Sequence, residues 1–225
     1  MAYVFNKIKL VHNEANKTPL IFLTLIYALL SYSPSGSGVF WWLQKEDGVL
    51  ENISFALLLL TSLTFAQIAI SGKLRIKRNR SVPFLISFVF FFWAGEEISW
   101  GQRVLDYSID LVAANNTQNE VTLHNQRIIQ NYLQYAYFLF FSILSLLSSV
   151  GAKSNNKPSM MPSSHLFYFF FLPAVYYGLG SFLYNFPEAF HAPFDNQEIY
   201  EFLFAVGIFI YAFEIRSRHK VGISE

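Results

Sequence analysis

In the stretch FFFWAGEEISWGQRVL, residues 90–105, a strongly apolar run ends in two adjacent carboxylates, Glu96 and Glu97. Trp93 and Trp100 bracket the pair, and positions 93, 96, 97 and 100 form one patch at three- and four-residue helical spacing. A charged group in the apolar zone of a bilayer costs on the order of 2.5–3.5 kcal/mol on insertion scales, so it faces protein and keeps a partner. Apolar surroundings penalise a carboxylate unless a cation or a proton neutralises it. Further acids open other apolar runs: Glu51 precedes NISFALLLL, and Glu198 and Glu201, on one helical face, open the last run. His124 and Asn125 lie just before another.

Carboxylates and neutral imidazole together suit Zn, Mn or Fe. Glu97, His124 and Glu201 make a candidate three-ligand metal site with room for water, with Glu51 as a further candidate ligand and Glu51 or Glu96 as a supporting group. Water activated there can attack an ester or amide at a membrane surface, with Glu96 as general base. Glu96, Glu97 and His124 are thus the candidate catalytic set. Trp100, Gln102, Arg103, Asn125 and Arg127 are the candidate substrate contacts, with the two arginines at the rim.

The elements that must position these groups follow from composition. The chain is 53% hydrophobic and only 14% charged, against about 25% charged in soluble domains. Six apolar stretches, 19–34, 49–71, 82–100, 129–150, 164–184 and 198–215, each approach the length of one bilayer crossing. In lipid every backbone polar group must be paired within the segment, so the expectation is an all-α, polytopic membrane bundle of six helices forming one domain over residues 1–225. Net charge of +1 gives no case for nucleic acid. The absence of cysteine excludes disulfides, thiolate metal sites and a cysteine nucleophile. No A-x-A cleavage pattern follows the first apolar run, which therefore reads as a helix rather than a removable signal.

Charge divides the connecting segments. Thirteen of the sixteen basic residues fall in the amino terminus, in GKLRIKRNR, in the loop 151–163 and in the tail. Lys45, Arg103 and Arg127 occupy the other side. Basic short loops stay cytoplasmic, so both termini are expected inside. Trp41, Trp42, Trp93 and Trp100 then fall near outer helix ends, where amphipathic rings prefer the interface. Twelve of the fifteen carboxylates also map outside. Glu46, Asp47, Asp106, Asp110 and Asp195 read as loop charges. The remaining seven, Glu51, Glu96, Glu97, Glu120, Glu188, Glu198 and Glu201, face only two arginines, an imbalance that calls for a cation or protons.

The pattern Glu96-Glu97-Ile98-Ser99-Trp100-Gly101-Gln102-Arg103, followed by Asn116-x-Gln118-x-Glu120-x-x-Leu123-His124-Asn125, resembles a family of uncharacterised bacterial multi-pass membrane proteins. That family has E-E-I-S-W-G-Q followed by a segment like N-x-Q-x-E-x-N-L-H-N, and Thr122 stands here in place of its usual Asn. The resemblance covers about 30 residues. It implies a bacterial inner-membrane protein whose loop 101–128 folds back on the end of the third helix, and it implies no activity.

Three functions are compatible with these residues. One is a metal-assisted hydrolase or transferase acting on a lipid-borne substrate from the periplasmic or extracellular face, with the bilayer as partner and a divalent metal as the candidate cofactor. A second is a non-catalytic scaffold or assembly factor whose polar network locks the bundle. A third is a cation or proton transporter, which requires polar groups continuing toward Gln67 and Glu214 on the inner side. Glu188-x-x-His191 lies in a proline-flanked loop and reads as weak evidence for a metal. Ser163-Ser164-His165 lacks an accompanying carboxylate and reads as no triad. His12 and His165 take no role.

Overall fold

The computed structural model describes residues 15–32, 42, 48–71, 80–107, 109, 112, 116, 121–123, 126–150, 160–183 and 197–221. They form an all-helical chain with six long helices: α1 (Thr18–Tyr32), α2 (Val49–Ile70), α3 (Ser81–Glu97), α5 (Arg127–Val150), α6 (Phe167–Leu183) and α7 (Gln197–Val221). A short helix, α4 (Gln102–Leu105), follows α3. The six apolar stretches expected from the sequence are the six long helices, with ends displaced by a few residues. The third helix stops at Glu97 rather than Trp100, because Ser99, Trp100 and Gly101 all take positive φ values, of 48, 55 and 77°, which ends α-helical propagation. The sixth continues to Val221, where arginine and lysine suit a helix carboxyl end.

Two antiparallel hairpins, α2–α3 and α5–α6, pack on either side of α7, and α1 rests against α6. One face of α7, carrying Leu203, Phe204, Ile208, Tyr211, Ala212 and Ile215, is buried along its whole length. At Gly207 the chain needs the missing side chain: a Cβ there would lie 2.5 Å from Phe169 Cβ on α6. Between α2 and α3 two serines cross-bond reciprocally. Ser62 Oγ donates to the Ser87 carbonyl at 2.8 Å and Ser87 Oγ donates to the Ser62 carbonyl at 2.9 Å, the small-residue polar contact that joins helices in apolar media.

The outward faces are apolar. Leu25 on α1, Phe84, Leu85 and Phe88 on α3, and Leu139 and Leu146 on α5 are each more than half exposed. α2 and the Tyr132–Val150 part of α5 are long and apolar enough to cross a membrane. α1, α3 and α6 have 15, 17 and 17 residues, which gives about 23–26 Å of rise against a hydrocarbon core of about 30 Å. α7 is long enough at 25 residues but carries Glu198, Glu201, Glu214, Arg216 and Arg218.

The helix directions sort charge between the two ends. Of the basic residues within the described segments, Lys17, Arg80, His165, Arg216, Arg218, His219 and Lys220 lie at the end where α3 begins and α7 finishes, and Arg103 and Arg127 lie at the opposite end. Of the described acids, Glu51, Glu96, Glu97, Asp106, Glu198 and Glu201 lie at that opposite end, and Glu214 lies among the bases.

Candidate functional site

The two neighbouring glutamates point in different directions and do different things. Trp93 Nε1 donates to Glu97 Oε1 at 3.1 Å, and Trp100 Nε1 donates to Glu96 Oε1 at 2.7 Å. Each acid thus takes the indole four residues away, as the spacing of the patch suggested. Both carboxylates are buried, at 6% exposure for Glu96 and 8% for Glu97.

Glu96 is committed to the loop. Its second oxygen, Oε2, accepts the backbone N–H of Leu123 at 2.6 Å, 27 residues along the chain. Gln102 reinforces this, accepting the Val121 N–H on its Oε1 at 2.6 Å. Asn116, almost fully buried, donates through Nδ2 to the Thr122 carbonyl and Oγ1, both at 3.0 Å. Asn116 and Gln126 also form an isolated antiparallel bridge, and Tyr107 Oη donates to the Trp100 carbonyl at 3.1 Å. The loop therefore folds back on the end of α3, as the resemblance implied. Gln102 and Trp100 serve that fold. Thr122 is a working member of the clasp.

The left-handed turn at 99–101 makes the reversal sharp enough for the Trp100 ring to lie back on α3. It meets Phe92 edge-on with centroids 5.2 Å apart. Gly95 lies directly beneath it: a Cβ there would come within 2.8 Å of three ring carbons. Two consecutive non-glycine residues with positive φ cost of order 1–2 kcal/mol each, a cost offset by the half-buried indole and its charge-assisted hydrogen bond.

Glu97 turns the other way, toward α7. Carboxylate oxygens of Glu97, Glu198 and Glu201 all lie within 4.8 Å of one another. Glu201 is 7% exposed and accepts two hydrogen bonds on Oε1, from Tyr177 Oη at 2.7 Å and from Gln197 Nε2 at 2.9 Å. Glu51, at the start of α2, and the Tyr137 hydroxyl on α5 are within electrostatic reach of the same group. Below the acids is an aromatic floor. The Trp93 ring stacks on Tyr137 at 5.4 Å and on Phe204 at 4.9 Å, and Tyr137 meets Tyr177 edge-on at 5.0 Å. Five helices thus converge on one acidic point. Any three points no more than 4.8 Å apart share a centre within about 2.8 Å of each, and calcium–oxygen distances are 2.3–2.6 Å.

The structure therefore brings together Glu97 and Glu201, with Glu51 close by, and adds Glu198 to the ligand atoms. Glu96 is not among those ligand atoms, and its oxygens accept the Trp100 Nε1–H and the Leu123 N–H instead. His124 and Asn125 lie outside the described residues, as do the side chains of Arg103 and Arg127. Tyr137, Tyr177 and Gln197 carried no special mark in the sequence. Only the four-residue spacing from Gln197 to Glu201 hinted at one of them.

A second polar network occupies the opposite end. Ser163 Oγ donates to Glu214 Oε2 at 2.6 Å, His165 Nε2 lies 2.5 Å from Glu214 Oε1, and Arg218 pairs with Glu214 Oε2 at 3.1 Å. No carboxylate lies beside Ser163-Ser164-His165 in the sequence, and the fold supplies one from α7. The order is nevertheless not that of a nucleophilic triad, because the acid sits between serine and histidine instead of behind the histidine. Arg218 also donates to the Met161 carbonyl at 3.0 Å, and Tyr211 Oη donates to the Met160 carbonyl, so the network pins the segment before α6 to α7. Between the two ends the core is filled by Phe65, Phe90, Phe141 and Phe204, and Gln67 faces outward. No protein-family model matches this chain, and no curated protein or solved structure is significantly similar to it.

Proposed function

We propose that the chain is a multi-pass bacterial inner-membrane protein that holds a divalent cation on Glu97, Glu198 and Glu201 at its periplasmic or extracellular end and uses it in hydrolysis or group transfer on a lipid-borne substrate. One observation carries the reading: three carboxylates from two helices bring their oxygens within 4.8 Å of one another in a largely buried place. Crowding acids in this way is unfavourable unless a cation or protons offset the charge. Most of the described basic residues lie at the far end of the molecule, with Arg103 and Arg127 at this end. An all-oxygen set suits Mg, Ca or Mn, and a histidine from the 124–125 segment would extend the range toward Zn or Fe.

The surrounding residues support a working site. Tyr177 and Gln197 orient Glu201, and Trp93 orients Glu97, the outer hydrogen bonds that fix ligand direction. A divalent ion there would polarise a carbonyl or phosphoryl oxygen and acidify a water. In hydrolysis the water oxygen joins the acyl or phosphoryl centre, the bond to the leaving alcohol breaks, and the alcohol takes up the proton. The membrane setting is supported by α2 and α5, by the apolar outward faces of α1, α3 and α5, and by the excess of bases at one end and of acids at the other. The aromatic core between the two polar ends favours a one-sided site over a conduit.

The test is turnover of membrane lipids by the protein reconstituted in liposomes of bacterial lipid extract, with products identified by mass spectrometry. The account expects a lipid product that disappears with chelator, returns with a divalent cation and is absent with Glu201→Gln. No product from a cation-loaded protein would leave the cluster as a structural cation site and overturn the catalytic reading.

A further inference from the structure

The inner end of the α2–α3 hairpin carries a second feature, independent of the acidic cluster. A groove of about 850 Å³ runs between the end of α2 and the start of α3, lined by Ile70, Arg80, Ser81, Phe84, Leu85 and Phe88. Its walls are apolar and open outward: Ile70 is 78% exposed and Phe84 is 64% exposed. Arg80 is the charged residue of the lining, lies exposed at the mouth, and forms no ion pair among the described residues. No aspartate or glutamate occurs in the sequence between Glu51 and Glu96, while residues 73–80 contain Lys73, Arg75, Lys77, Arg78 and Arg80. The described carboxylate at this end, Glu214, is engaged by Ser163, His165 and Arg218.

We propose that this groove binds an anionic glycerophospholipid of the surrounding bilayer, with an acyl chain along Ile70, Phe84 and Phe88 and the phosphate against Arg80. The proposal rests on the membrane reading given above. The chemistry selects both halves of the ligand. Inorganic phosphate would satisfy the arginine and leave the aromatic wall uncovered. A zwitterionic lipid would cover the wall and leave Arg80 without a net counter-charge. The long axis of α3 runs from Arg80 toward the middle of the bundle, so a chain lying on Phe84 and Phe88 follows the direction of lipid tails while Arg80 stays at headgroup depth.

Basic residues beside an anionic leaflet each favour binding by about 1 kcal/mol, which is about fivefold in affinity. The experiment is native mass spectrometry of the detergent-purified full chain offered equal amounts of phosphatidylglycerol and phosphatidylcholine of matched tails. Wild type is expected to retain phosphatidylglycerol preferentially. Arg80→Gln is expected to lower that preference about fivefold. Lys17→Gln, at the same end but outside the groove, is expected to leave it unchanged. Equal retention of both lipids by wild type, or equal effects of the two substitutions, overturns the proposal while the membrane reading stands. A chain that stays monodisperse in buffer without detergent overturns the membrane reading itself, and the lipid site with it.

Discussion

Replacing Gly95 with alanine tests whether the Trp100 ring really lies on α3. A methyl group at position 95 would sit 2.8 Å from three ring carbons of Trp100, about 1 Å inside normal carbon–carbon contact. The added carbon cannot be accommodated by a rotamer change alone, because the ring is also anchored by its hydrogen bond to Glu96 Oε1 at 2.7 Å. Overpacking costs about 1–3 kcal/mol. Displacing the indole adds the loss of a hydrogen bond to a charged acceptor, about 1.5–3 kcal/mol. Alanine returns up to about 1 kcal/mol through helix propensity. The expected net loss is therefore about 2–4 kcal/mol. It is best measured by denaturant unfolding in micelles, as a cycle with Trp100→Ala. With the ring gone, Gly95→Ala should become neutral or stabilising by up to about 1 kcal/mol. An equal cost in both backgrounds would refute the packing of Trp100 over Gly95 and the account of the 99–101 turn built on it.

Two further substitutions address the site and its setting. Tyr177→Phe removes the donor to Glu201 Oε1 and should weaken cation affinity 10- to 100-fold; unchanged affinity by calorimetric titration would dissociate Tyr177 from the site. Leu139→Arg places a charge on the exposed face of α5, where Leu139 is 60% exposed. It should raise the apparent insertion free energy of that helix by about 3 kcal/mol. A membrane-insertion assay that shows no drop in the inserted fraction would contradict the lipid-facing assignment.

Much of this architecture was legible in the sequence. Long apolar runs bounded by basic or glycine-rich segments gave all six helices, because burial in protein or lipid demands the same uninterrupted apolar stretch. The Trp93–Glu97 and Trp100–Glu96 pairs were legible too, since four-residue spacing puts donor and acceptor on one helical face. What the spacing concealed was the division of labour between the two acids. Adjacent helical positions point about 100° apart, and only tertiary packing tells that Glu96 meets the returning loop while Glu97 meets α7. The convergence of Glu97 with Glu198 and Glu201 joins residues a hundred positions apart, and no local periodicity carries that information. The same holds for Tyr177 reaching Glu201 and for Glu214 reaching Ser163 and His165. In each case a residue that reads as unremarkable along its own helix is given its role by the neighbour across the interface. The end of α3 was misplaced by three residues because Ser99 and Trp100 adopt left-handed backbone that their side chains do not favour.

The central claim is that Glu97, Glu198 and Glu201 hold a cation, and metal analysis of the detergent-purified protein tests it most directly. The comparison is wild type beside Glu97→Gln and Glu201→Gln, after removal of loosely bound ions. The account predicts close to one divalent cation per chain in wild type, and loss of most of it in each variant, with all three proteins folded. Metal-free wild type whose thermal stability is indifferent to added Mg, Ca, Mn or Zn would contradict it, and would leave the acids neutralised by protons within a structural network.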